Sequence, residues 1–167
     1  LVGSEMCIRD RTYIANNVLS RSFRDDVGVN PTRLNHILYI VESEYTKKTG
    51  GFIFSEGFSA WTYGPTLFSV FDQFSCFGRE NIDRYAINAR EEAFMVNEND
   101  HPYLRAALDD VWRKTMGVGF VELVNILREP GSAWDKAFQA EKPYLERKDI
   151  LADESYRLPL GFDIERF

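Results

Sequence analysis

Between Pro31 and Lys48 the apolar residues Leu34, Ile37, Leu38, Val41 and Tyr45 recur at i, i+3, i+4, i+7 and i+11, which lays one stripe along a helix. Asn30 supplies an acceptor for the first free N–H groups, and Pro31 suits the first helical position because it has no N–H to leave unpaired. Gly50 and Gly51 end the pattern. Upstream, Tyr13, Ile14, Val18 and Leu19 predict an amphipathic helix over Thr12 to Phe23, with Asn16 and Asn17 on its wet side. The RDDVG stretch reads as a polar connector, and Phe52, Ile53 and Phe54 as a brief strand or an extended crossing segment.

Further along, Gly64 frees the backbone before Pro65, which is expected to open a helix carrying Leu67, Phe68, Val70, Phe71 and Phe74 and closed by Gly78. Ile82, Tyr85, Ile87, Phe94 and Val96, divided by polar Asn88 to Glu92, predict two short strands of a hairpin. A helix from Pro102 through Met116 presents Leu104, Leu108, Val111, Trp112 and Met116 on one face. Short helices follow over Phe120 to Leu127 and Ala133 to Gln139, the latter with Trp134 and Phe138 four apart. The expected fold is mainly α, a compact single-domain helical bundle with a small β-hairpin or short strands. Its domain spans 12–140, and a charged extension over 141–167 packs on it or trails from it. Leu1 to Arg11 (LVGSEMCIRDR) resembles a translated sequencing-adapter or transposon-end artefact and is set outside the fold.

Composition narrows the function classes. With 44% apolar and 28% charged residues in 167, the chain is that of a soluble domain with a sizeable core, and no apolar run approaches the ~20 residues that cross a bilayer. A cytoplasmic location is the default expectation. The net charge of -6 disfavours a surface built to neutralise phosphates and tilts the partner toward protein. Setting Cys7 aside with the first residues leaves Cys76, which fits a reducing compartment.

Candidate chemistry is sparse. His36 and His101 fall in no metal-binding pattern, and His36 reads as a structural or interface histidine. Cys76, in an aromatic helix, reads as a buried inert thiol. The pairs Asp25–Asp26, Glu91–Glu92 and Asp109–Asp110 are sequence neighbours that point apart, so they read as solvated charge. Gly50–Gly51 and Gly117–x–Gly119 lack the spacing of phosphate-binding loops. No enzyme, metal or cofactor is expected. The helix–helix–hairpin order leaves a winged-helix DNA-binding or phage regulatory protein as the alternative, with Arg33, Asn35 and His36 as its polar groups.

The run TRLNHILYIVE, then GFIFSE, then FSAWTYGPTLFSVF, resembles the Panacea domain, the SocA-like antitoxin or phage-associated domain. Leu34, Ile37, Leu38 and Tyr39 fit its helix pattern, and Phe54, Glu56, Phe58, Ala60, Trp61, Tyr63, Gly64 and Pro65 its second motif. VELVNILREPGSAWDKAF resembles a later run, through Leu123, Glu129, Trp134 and Ala137. Two positions depart: Asn35-His36 stands where a lysine is frequent, and Gly131-Ser132-Ala133-Trp134 where Pro-Trp is. The resemblance implies an antitoxin that neutralises a protein toxin encoded beside it by direct contact, with delivery to a protease as an adaptor in some relatives. Arg33, Asn35, His36, Tyr39 and Tyr63 are the candidate partner contacts. Leu34, Leu38, Trp61, Gly64, Pro65 and Trp134 are assigned to the scaffold, with the two tryptophans in the core.

Overall fold

A long helix, α2 (Pro31–Thr49), runs through the middle of the molecule in the computed structural model, which describes residues 8–163. Asn30 Oδ1 accepts the Arg33 N–H at 2.8 Å, Pro31 follows, and Gly50 at φ +75° returns its N–H to the Thr46 carbonyl. Both ends thus form as the residue types require. Around α2 stand α1 (Ile8–Asp25), α3 (Phe68–Gln73), α4 (Pro102–Thr115), α5 (Phe120–Leu127) and α7 (Arg147–Ala152), with α6 (Ala133–Gln139) and α8 (Arg157–Leu160) completing the shell. Of the described residues 56% are helical. Among the described residues one two-stranded antiparallel sheet, β1 (Ser59–Trp61) and β2 (Gly64–Thr66), pairs Ser59 with Thr66 and Trp61 with Gly64 and lies on α2.

The one-stripe reading of α2 undercounts its burial. Leu34, Ile37, Leu38, Tyr39, Ile40 and Val41 are all inside, and so are Arg33, Asn35, His36, Glu42, Ser43 and Glu44. A buried polar group is tolerable only with a partner, and here the partners are irregular segments that α2 holds in place. Glu42 accepts the N–H groups of Ile53 at 2.7 Å and Phe54 at 3.1 Å, so the crossing segment finds its acceptors in a carboxylate. Tyr39, Phe54 and Phe58 meet edge to face beside it. Ser43 donates to the Ile150 carbonyl, and the Tyr39 hydroxyl donates to Asp153 at 2.5 Å.

The C-terminal extension is packed through residue 163. Leu145 N–H bonds the Phe58 carbonyl, Ser59 bridges Tyr144, and Ile150, Tyr156 and Leu160 are buried. At the other end α1 starts ahead of Thr12. Arg11, set outside the fold from sequence, is 5% exposed, pairs with Glu56 at 3.1 Å and reaches Ser55. Residues 1–7 lie outside the described residues.

Three local expectations fail for identifiable reasons. Pro65 sits in β2, and helix α3 begins later, at Phe68, where Glu56 accepts the Ser69 N–H. Between 81 and 96 no strand forms. Asn16 and Asn17, expected in water, are buried and take that segment's backbone instead. Asn16 accepts from Ala86 N–H and donates to the Ala86 and Phe94 carbonyls, while Asn17 accepts from Val96 N–H and donates to the Val96 carbonyl. Two carboxamides thus do what a partner strand would do. With the hairpin absent, the winged-helix layout lacks its wing.

Candidate partner-binding surface

Four of the five candidate contacts are interior. Asn35 is fully buried, donating to the Pro31 carbonyl and accepting the Leu67 N–H at 2.8 Å, which fixes the chain where it leaves β2. Tyr39 is fully buried, and burial, together with nearby Asp153, holds its hydroxyl protonated far above the ordinary range. Arg33 is 7% exposed and donates to the Thr115 carbonyl at the end of α4. His36 is fully buried, with Nε2 2.7 Å from the Tyr63 carbonyl. Since that oxygen only accepts, Nε2 carries the proton and Nδ1 holds the lone pair. Burial pushes the His36 pKa down to about 4, and the charge of Arg33 adds to the effect against the Tyr63 bond. Asn35, His36 and Tyr39 thus position the frame from inside, because α2 runs through the core.

Tyr63 is different: its side chain is 57% exposed. The turn that carries it is held from beneath at two points, by His36 on the Tyr63 carbonyl and by Trp134 Nε1 on the Trp61 carbonyl at 2.6 Å. Gly64 permits this geometry. Its φ is +126°, and a Cβ there would lie 2.7 Å from His36 Nε2. Pro65, Leu34 and Leu38 are buried as scaffold residues. Trp134 is buried too, stacked on Phe138 and covered by the Arg128 guanidinium at 4.9 Å.

Trp61 was expected in the core and lies at the surface, 36% exposed. Its ring meets Phe71 at 5.0 Å and Phe68 at 6.2 Å, both edge to face, and Phe68 is itself 55% exposed. Sequence reasoning missed Phe68, because a helix of apolar and aromatic residues reads as core-facing all round. Only Val70 of the six residues of α3 is fully buried, and that excess of aromatics over buried positions is the usable signal. Trp61 and Tyr63 on the braced turn and Phe68 at the start of α3 are exposed aromatics, the residue types that concentrate at interface centres.

Catalytic geometry is poor by comparison. Ser43 Oγ lies 2.8 Å from Lys47 Nζ, a nucleophile–base distance, and burial pushes the Lys47 pKa down. Ser43 is fully buried, however, and its proton goes to the Ile150 carbonyl. Cys76, expected to be buried, is exposed beyond α3 in a single 3-10 turn, Ser75–Phe77. His101 is the residue before α4 and makes no side-chain cap. Among the described residues no group of three or more His, Cys, Asp or Glu is placed to hold a metal, and no helix is long and apolar enough to cross a membrane.

Fold and site together define a mainly helical domain that leaves Trp61, Tyr63 and Phe68 exposed at and next to the β1–β2 turn. The chain belongs to the antitoxin SocA-like Panacea domain family, whose family model matches residues 34–135. That span begins in α2 and ends at the Trp134 brace, so it contains the whole Tyr63 turn and its supports. No curated protein and no solved structure matches the chain.

Proposed function

We propose that this chain is an antitoxin acting in the cytoplasm, neutralising a protein toxin encoded beside it by direct contact through Trp61, Tyr63 and Phe68. The observation that carries the reading is the braced turn: three aromatic side chains face outward while His36 and Trp134 fix the backbone below them. A pre-organised surface loses little conformational entropy on binding. Neutralisation of this kind needs occlusion and no chemistry, which suits a chain whose family is antitoxin-like.

The test is co-expression with the adjacent gene. Growth restored by the wild-type chain, and lost with Trp61→Ala/Tyr63→Ala protein that stays soluble and folded, is the expected result. Continued toxicity beside soluble, intact wild-type protein overturns the reading. A toxin level that drops only when a cellular protease is present adds delivery to that protease.

A further inference from the structure

Among the described residues three arginines are at least nine-tenths buried, and they differ in one respect. Arg11 pairs with Glu56, and Arg21 with Glu98 and Asp109. Arg33 has no carboxylate among the described residues. Its one hydrogen bond from the guanidinium goes to the Thr115 carbonyl, and its Nε is buried without a partner. The negative end of α4 offsets part of the charge, but a guanidinium has five N–H donors and stays protonated in any protein setting. One turn along the same face, His36 Nδ1 is also buried without a partner. An unpaired buried cation is strongly disfavoured, and a neighbouring imidazole that burial keeps neutral does nothing to balance it.

Arg33 also has a telling position. His36, beside it, holds the exposed Tyr63 turn. Thr115, which it caps, leads directly into Met116, Phe120 and Val121, which are 36%, 39% and 68% exposed. The strand β2 touches both α2 and α5, so these two apolar segments flank the N-terminal half of α2. A desolvated cation with an apolar rim is the anatomy of a binding hot spot.

We propose that Arg33 receives a carboxylate from the partner protein, an Asp or Glu side chain flanked by apolar residues that seat against Tyr63 and the Met116–Val121 segment. This rests on the antitoxin reading only for the identity of the partner, and it names the chemistry that the partner brings. The carboxylate completes the donors that Thr115 leaves unused, and burial under the partner strengthens the pair.

Two peptides test the site without any toxin: N-acetyl-Leu-Glu-Leu-amide and its Gln counterpart, titrated into the full chain labelled with nitrogen-15. The Arg33 Nε–H resonance, assigned by its absence in Arg33→Lys, is expected to shift with the Glu peptide and stay put with the Gln peptide. Equal shifts, or none with either, overturn the proposal and leave Arg33 as a cap of α4 whose other donors are met by water. In a second arm, Arg33→Gln is expected to weaken binding of the adjacent gene's product by roughly 30-fold or more, with Arg33→Lys recovering part of it. Unchanged affinity in a folded Arg33→Gln protein also overturns it. A Glu-selective shift with no binding of the adjacent product sinks the antitoxin reading and leaves the carboxylate site standing.

Discussion

The middle of α2 and the β1–β2 turn are joined by a hydrogen bond from His36 to the Tyr63 carbonyl, yet they reverse the usual placement of residues. Asn35, His36, Glu42 and Ser43 are polar and fully or almost fully buried, whereas Trp61, Tyr63 and Phe68 are aromatic and at least a third exposed. The first group is inside because each member satisfies backbone that would otherwise be unpaired. The second is outside although burying such rings is ordinarily the main favourable term of folding. The lesson is a division of labour: α2 sets the shape, and the turn leaves apolar surface exposed, which the proposed function assigns to the partner. Substitutions in the two regions should therefore fail in different ways.

The largest expected effect lies in α2. Glu42→Ala leaves the Ile53 and Phe54 N–H groups buried without acceptors, and should lower unfolding free energy by about 4 kcal/mol in urea titration. A loss well under half of that would mean that the crossing segment re-pairs elsewhere and does not depend on the Glu42 carboxylate. Gly64→Ala, at the seam between the regions, drives a Cβ into the His36 ring at a φ of +126°. It should lower stability by about 3 kcal/mol and disorder the Tyr63 turn at the same time.

Asn16→Ala removes the clamp on the 86–94 backbone. The expected loss is about 2 kcal/mol, with faster amide hydrogen exchange in that segment than in α2. His36 gives a pH test. Its native pKa, about 4, lies below the ordinary 6.5, so between those values the unfolded chain takes up a proton that the native state refuses. Stability should fall as pH drops through that window, by about 1.4 kcal/mol per pH unit from this residue. The comparison of wild type with His36→Gln isolates it, and equal pH slopes for the two proteins would contradict the buried, neutral assignment.

How much was legible in the sequence follows the range of the causes. The ends of α2 are encoded by neighbours, Asn30 with Pro31 and Gly50, and they form as read. The helices α4, α5 and α6 have local apolar periods, α6 with a Ser132 cap as well, and they too form close to the expected bounds. Asn16 and Asn17 were misplaced because their partners lie 70 or more residues away, and nothing near them in the chain marks a clamp. Pro65 was read as a helix opener, which its fixed φ allows, but the same φ also fits a short edge strand. Among the site residues, Tyr63, Gly64 and Trp134 were visible through the resemblance. The burial of Arg33, Asn35, His36 and Tyr39 was not, because a helix at the centre of a fold carries polar residues on faces that periodicity assigns to water.

The most direct test of the division between frame and surface is a paired measurement on Tyr63→Ala/Phe68→Ala: unfolding free energy, and affinity for the product of the adjacent gene. Both side chains are more than half exposed. Stability should stay within about 1 kcal/mol of wild type, while affinity falls roughly tenfold or more. Unchanged affinity in the folded double variant, or an affinity loss matched by equal loss of stability, would contradict the assignment of this aromatic turn to the partner.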